Sequence, residues 1–305
     1  MGTRPLNFGI IAGLLTGIQV GAAIFASQFV VDDLGIGLLG LLRYGIALLV
    51  LLPFLMSGSD TPIAKRDLLF ISVLGMGQIG VMIALLNTAV LFTNAARVAL
   101  VFATLPAVSF VIDKLRGLPS GSRLTSAGVV LTIAGVAVLV GHDAFADTLT
   151  TSDIIGITAA FGATLIVAVC SSWYSPYVQR YGTIRVSVTA FIVSLPALAL
   201  LTLLFPPTVP VSEWSMGVWR VVLLVGLSSG IGYLLWFHAI GSMSATAVTG
   251  FLALSPITAA VLSQIFVGTE LTTSLIIAIL IVSAGISCFV FSKQQESKAI
   301  SYAAR

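Results

Sequence analysis

Residues 80–106 read GVMIALLNTAVLFTNAARVALVFATLP, and residues 230–256 read GIGYLLWFHAIGSMSATAVTGFLALSP. Each is an apolar run, then a short polar cluster, then a second apolar run that reaches a proline, Pro106 or Pro256. The two stretches lie 150 residues apart, and that offset continues without a gap from 80–140 to 230–290. Eleven of these 61 positions are identical, against roughly five expected from so apolar a composition. Gly80 pairs with Gly230, Ala89 with Ala239, and Ala134-Gly135 with Ala284-Gly285. A fixed-period self-similarity of this kind marks a duplicated structural unit.

Outward from the repeat, ten apolar segments emerge, at about 8–31, 36–56, 68–90, 94–112, 122–141, 153–175, 184–205, 218–239, 246–267 and 271–291. The 305-residue chain is 58% apolar and 8% charged, where a soluble domain carries about 25% charged residues. Ten helices of about 21 residues would use roughly 210 positions, leaving about nine per connection. No extramembrane domain of about 50 residues or more fits there. The composition therefore excludes a soluble enzyme, a nucleic-acid binder and a tethered catalytic domain. Strands are a poor alternative, because membrane barrels show short alternating segments. The expected fold is all-α: ten transmembrane helices as two five-helix units, 1–145 and 146–305. Five is odd, so the second unit enters the membrane from the opposite side, an inverted repeat of the kind used by transporters that rock around a midplane site.

Basic residues orient the chain. With the N-terminus in the cytoplasm, Arg4, Lys65, Arg66, Lys114, Arg116, Arg123, Arg180, Arg185, Lys293, Lys298 and Arg305 fall inside and Arg220 alone falls outside. That asymmetry predicts cytoplasmic termini, in a bacterial inner membrane, and accounts for the net charge of +3 without nucleic acid. The first apolar stretch is longer than a signal-peptide core and runs into Asp32-Asp33 instead of a cleavage site. Cys170 and Cys288 both lie in apolar runs with no metal-ligand spacing, so neither a disulfide nor a metal or other cofactor is expected.

Two enzyme-like patterns fail on context. Gly75-Met-Gly77-Gln-Ile-Gly80 has dinucleotide spacing, but it lies inside a span with no following acid until Asp113. Gly226-Leu-Ser228-Ser-Gly230 resembles a nucleophile elbow, yet His238 is roughly 15 Å further along the same helix, out of reach as a base. Gly13, Gly17 and Gly21 form a small-residue face suited to close helix packing; the same smooth face could let the first span slide during transport.

Polar groups at membrane depth carry the site. Arg43 and Arg97 lie within the second and fourth spans, nearest the outer face. Arg97 could snorkel to the interface, and Arg43 could serve backbone carbonyls or Asp32 instead of a substrate. Gln19 and Gln78 are mid-span and could bond a helix or a ligand. Ser229, Tyr233 and Trp236 share one face of the eighth span; Trp236 also suits an interfacial aromatic belt. Pro106 and Pro256 would kink their helices and free carbonyls, as structural bends or as gating hinges. The candidate substrate-binding set is Gln19, Arg43, Gln78, Arg97, Tyr233 and Trp236, with Pro106 and Pro256 as hinges. All eleven acids fall at loops, tails or span edges, so a membrane-embedded carboxylate is not expected, and a facilitator or exchanger follows in preference to proton antiport.

The paired pattern Asn87-Thr-Ala89, Asn94-Ala95-Ala96 and Leu105-Pro106, echoed by His238-Ala239, Ser244-Ala245 and Ser255-Pro256, resembles the EamA-type drug/metabolite transporter superfamily. Leu42-Arg43-Tyr44 and the two Ala-Gly pairs add to the likeness, which covers essentially the whole chain. It implies spans 1–4 and 6–9 around a central cavity, with spans 5 and 10 as a buttress, and export of an amino acid or similar metabolite. Many relatives end the fourth helix of each unit with Gly-Glu; here the second copy reads Gly268-Thr269-Glu270, and the first reads Arg116-Gly117 with no Glu. Partners are then a small-molecule substrate and membrane lipid, with the oligomeric state open. The rival readings are a proton-coupled multidrug cation exporter, which needs a buried carboxylate, and an intramembrane enzyme, which lacks a positioned catalytic set.

Overall fold

A computed structural model describes residues 6–57, 62–93, 95–118, 122–145, 149–268 and 273–303. Every regular element among them is helical. In chain order the α-helices are α1 (Leu6–Ser27), α2 (Val31–Leu51), α3 (Lys65–Gly75), α4 (Met82–Phe92), α5 (Ala95–Phe102), α6 (Leu105–Leu115), α7 (Arg123–Phe145), α8 (Thr151–Tyr181), α9 (Thr183–Leu204), α10 (Met216–Ser242), α11 (Ala245–Phe251), α12 (Leu254–Val267) and α13 (Thr273–Ala303). A π-helical turn, Met76–Val81, joins α3 to α4. Among the described residues eight segments are long and apolar enough to cross a membrane. Helices α5 and α6 together, and α7, occupy the fourth and fifth expected spans.

Local chemistry sets the helix ends. Thr150 and Asp153 form a reciprocal capping box that starts α8, and the hydroxyls of Ser215 and Ser244 accept from Val218 and Ala247 N–H to start α10 and α11. These contacts satisfy backbone donors that a helix start leaves without partners. Gly117 and Gly268 close α6 and α12 at φ of 67° and 77°, where a side chain would strain the backbone. The glycine half of the Gly-Glu pattern therefore keeps its conformational role in both units; Glu270 lies outside the described residues.

Both broken spans break at repeat-related places. Helix α5 gives way to α6 at Ala103-Thr104, and α11 gives way to α12 at Leu252-Ala253. Each break lies just before the proline, whose missing N–H ends the upstream hydrogen-bond ladder. The Ser255 backbone and hydroxyl both donate to Leu252 O, so the carbonyl that Pro256 cannot serve is still satisfied.

Helix pairing obeys the duplication. Helices α1 and α10 pack together, and so do their counterparts α8 and α4; α1 lies on α12 as α8 lies on α5 and α6. Helix α2 pairs with α9 and α7 with α13, each with its own counterpart. Glycines fix the closest crossings. A Cβ on Gly135 would strike Val282 and Ala278 O, and one on Gly285 would strike Thr132 and Gly128 O. The repeated Ala-Gly pair is thus the contact point of α7 and α13. The Gly13, Gly17 and Gly21 face meets Phe251, Leu254, Ser255 and Thr258, so its packing role is realised against α11 and α12.

Candidate functional site

The centre of the bundle is filled by aromatic rings from four helices. Tyr233 on α10 lies 5.6 Å from Tyr44 on α2, 5.2 Å from Phe191 on α9 and 5.8 Å from Phe237 on its own helix. Tyr44 and Phe191 are 5.6 Å apart, and Phe237 continues the chain to Tyr174 on α8 at 4.6 Å. Most of these pairs are edge-to-face or tilted, the arrangement ring quadrupoles favour. Tyr174, Phe191 and Phe237 are completely buried.

Polar groups flank the rings. Arg43 Nε donates to Ser229 Oγ at 2.6 Å, and its guanidinium lies 5.5 Å from the Tyr44 ring centroid. Among the described residues Arg43 is thus bonded to a serine of the other unit and not to Asp32 or a carbonyl. Gln19 Nε2 reaches the adjacent Ser228 Oγ at 3.3 Å, so α1 and α2 grip neighbouring serines of α10. Gln78 is buried in the π-turn, beside Ile79, which packs with Tyr44 and Phe191. Among the described residues its Oε1 has no hydrogen-bond partner, and neither do Ser171 Oγ, Tyr174 OH, Ser187 Oγ and Trp236 Nε1. A buried polar atom left unpaired costs about 1–3 kcal/mol, so a ligand or water supplying those bonds would be favoured.

The structure brings together Arg43 and Tyr233 from the expected set, both against Tyr44; Gln78 is buried in the π-turn. Gln19 is set apart as a helix-to-helix bond. Trp236 is buried in the core beside Phe237, which removes it from an interfacial belt. Arg97 is on α5, but its side chain lies outside the described residues, as do those of Asn87, Asn94 and His142. Pro106 and Pro256 stand at the two helix breaks. Sequence reasoning passes over Phe191, takes Tyr44 only as part of the family-like Leu42-Arg43-Tyr44, and assigns Tyr174 with Trp173 to an interfacial aromatic belt, whereas Tyr174 is fully buried.

One carboxylate at a span edge is more enclosed than its chain position suggests. Asp113, placed at a span edge by sequence, is 2% exposed. Ser172 Oγ donates to its Oδ1 at 2.6 Å, and Thr246 donates to Oδ2 through Oγ1 at 3.0 Å and through its backbone N–H at 3.3 Å. The last turn of α6 reaches into the gap between α8 and α11, so a carboxylate near the end of the sequence segment ends inside the bundle. Asp153 is buried as well, held by its capping box and by Thr93 Oγ1 at 2.7 Å.

Comparison with known proteins is consistent across sequence and structure. The model of the EamA-like transporter family matches twice, over residues 7–141 and 154–291. A protein of Clostridium kluyveri described as an uncharacterized transporter is 23% identical over 254 residues, covering 79% of this chain and 78% of that one. A crystal structure at 20% identity superposes with a TM-score of 0.79 over 94% of this chain and 98% of the other, a likeness of fold alone.

Proposed function

Because the chain belongs to the EamA-like transporter family, we propose that this multi-pass membrane transporter exports a small carboxylate-bearing amphiphile, most simply an amino acid, by alternating access. Units 1–145 and 146–305 form an inverted repeat that rocks around the central aromatic cluster, with the helix breaks before Pro106 and Pro256 as hinges. Both termini are cytoplasmic in a bacterial inner membrane, by the distribution of basic residues. The observation that carries the substrate class is the convergence of Arg43 on a wall of Tyr44, Phe191, Tyr233 and Phe237. Arginine offers several N–H donors in a fixed fork suited to a carboxylate, and the rings offer an apolar surface for the rest of the molecule.

The mechanism follows from those residues. The Arg43 guanidinium meets the substrate carboxylate while Ser229 holds its Nε side. Gln78, at a π-turn where the helix ladder is already loosened, supplies a hydrogen bond to the substrate. Replacing Tyr233 or Gln78 with Ala in protein reconstituted into liposomes should lower amino-acid counterflow about tenfold, with monodispersity in detergent unchanged. Two fully active variants would place the substrate elsewhere.

A further inference from the structure

Asp113 is the centre of a larger polar cluster. Arg116 Nη1 donates to the Ser172 carbonyl and, at 2.8 Å, to the same Ser172 hydroxyl that donates to Asp113. Its guanidinium lies 4.0 Å from the Trp173 ring centroid. One turn deeper, Thr249 Oγ1 bonds Ser109 Oγ at 3.2 Å. Helix α6 of the first unit is thereby fastened to α8 and α11 of the second, at the end of the bundle that carries Lys65, Arg66, Arg123 and Arg180.

The opposite end is fastened elsewhere: Thr93 Oγ1, just past α4, donates to Asp153 Oδ1 in the first turn of α8 at 2.7 Å. The 150-residue offset turns Asp113 into Ser263, Arg116 into Phe266 and Thr246 into Ala96. Phe25 rests on the rings of Phe29 and Phe266. The helices differ in the same sense. Helix α6 packs on α11, whereas among the described residues their counterparts α12 and α5 make at most marginal contact: α12 lies on α1 and α13, and α5 on α7 and α8. An inverted repeat must be able to exchange the arrangements of its two ends, and among the described residues only the basic end joins the broken helices of the two units, α6 to α11, through a carboxylate cluster.

We propose that Asp113, with Ser172, Thr246 and Arg116, is the gate of the basic end, and that its rupture is the step that opens the transporter to that side. The inference rests on the alternating-access reading above. Asp113 acts as a positioning residue: it sets the balance between the two end states and does not meet the substrate. Hydrogen bonds to a charged group are the strong ones, and losing them from one state alone moves a two-state balance by their full difference.

The test uses purified full-length protein in nanodiscs, with Cys170 and Cys288 replaced by Ser and one reporter thiol introduced. Ser109→Cys sits just behind the gate, and Ala259→Cys occupies the repeat-related position at the other end. In Asp113→Ala, a water-soluble maleimide should label the first reporter about tenfold faster and the second more slowly; Arg116→Gln should shift both in the same directions by less. Unchanged labelling in both variants would overturn the gate, and so would a rise at both reporters together, which is the signature of a loosened fold. Amino-acid counterflow by the parent protein is measured alongside. Its absence, with the reporters still moving oppositely, would sink the substrate assignment and leave the gate standing.

Discussion

At Arg43 one guanidinium nitrogen is bonded to Ser229 at 2.6 Å while the group sits beside an aromatic wall, so two roles compete: tying α2 to α10, and receiving a carboxylate. They separate by substitution. Lysine keeps the charge as a point but loses the planar fork, so Arg43→Lys should raise the Kd for an amino acid about tenfold. Arg43→Gln should raise it further, because a charge-assisted bond is worth about 1.5–3 kcal/mol. Ser229→Ala leaves the guanidinium in place and should have the smaller effect. Isothermal titration of the three variants decides the matter, and wild-type affinity in Arg43→Gln would confine Arg43 to helix tying. The sequence showed Arg43, Gln78 and Tyr233 because a polar or ionisable group at membrane depth stands out against an apolar background. Phe191 gave no such signal, since an aromatic in a core helix looks the same whether or not it faces a ligand, and Tyr174 beside Trp173 reads as an interfacial aromatic. Asp113 was hidden for a different reason: chain position placed it at a span edge, and only tertiary packing of α6 against α8 and α11 removes it from water.

Among the elements, α1 packs closely against the broken pair α11 and α12. A Cβ on Gly17 would run into Phe251 O and the Leu254 side chain, whereas one on Gly45 of α2 would meet nothing within 4 Å. The same chemical change therefore has opposite expected effects. Gly17→Ala forces backbone apart and should destabilise by about 1–3 kcal/mol, seen as a lower Tm in detergent. Gly45→Ala should be neutral or raise Tm slightly, because alanine lowers the helix-forming cost by about 1 kcal/mol. Equal Tm values for the two variants would contradict the α1 packing. This contact was legible in advance as a small-residue face, though its partner was not. The π-turn at Met76–Val81 was not legible at all: nothing in MGQIGV distinguishes it from an ordinary α-turn, and its dinucleotide-like spacing pointed to the wrong chemistry. The prolines signalled both helix breaks to within a few residues, since a missing N–H acts locally and needs no tertiary partner.

For the whole molecule the open matter is what drives net transport. Proton antiport through a membrane site works by a carboxylate that holds either a proton or the substrate. The buried Asp113 removes the argument that no such group exists, but its surroundings set it apart from that role. It accepts from Ser172 and Thr246 at one end of the bundle, while the central cluster is built from Arg43, tyrosines and phenylalanines. Arginine stays charged throughout the physiological range and cannot carry a proton. The expected behaviour is facilitated diffusion or exchange. Protein in liposomes should show counterflow driven by amino acid alone, and an imposed pH gradient of one unit should leave the final accumulation level unchanged. A coupled antiporter with one-to-one stoichiometry would instead multiply accumulation about tenfold for that gradient, since tenfold corresponds to about 1.4 kcal/mol. If accumulation follows the gradient in the wild type and ceases to follow it in Asp113→Asn, the gate carboxylate is also the proton carrier, and opening of the basic end is the coupled step.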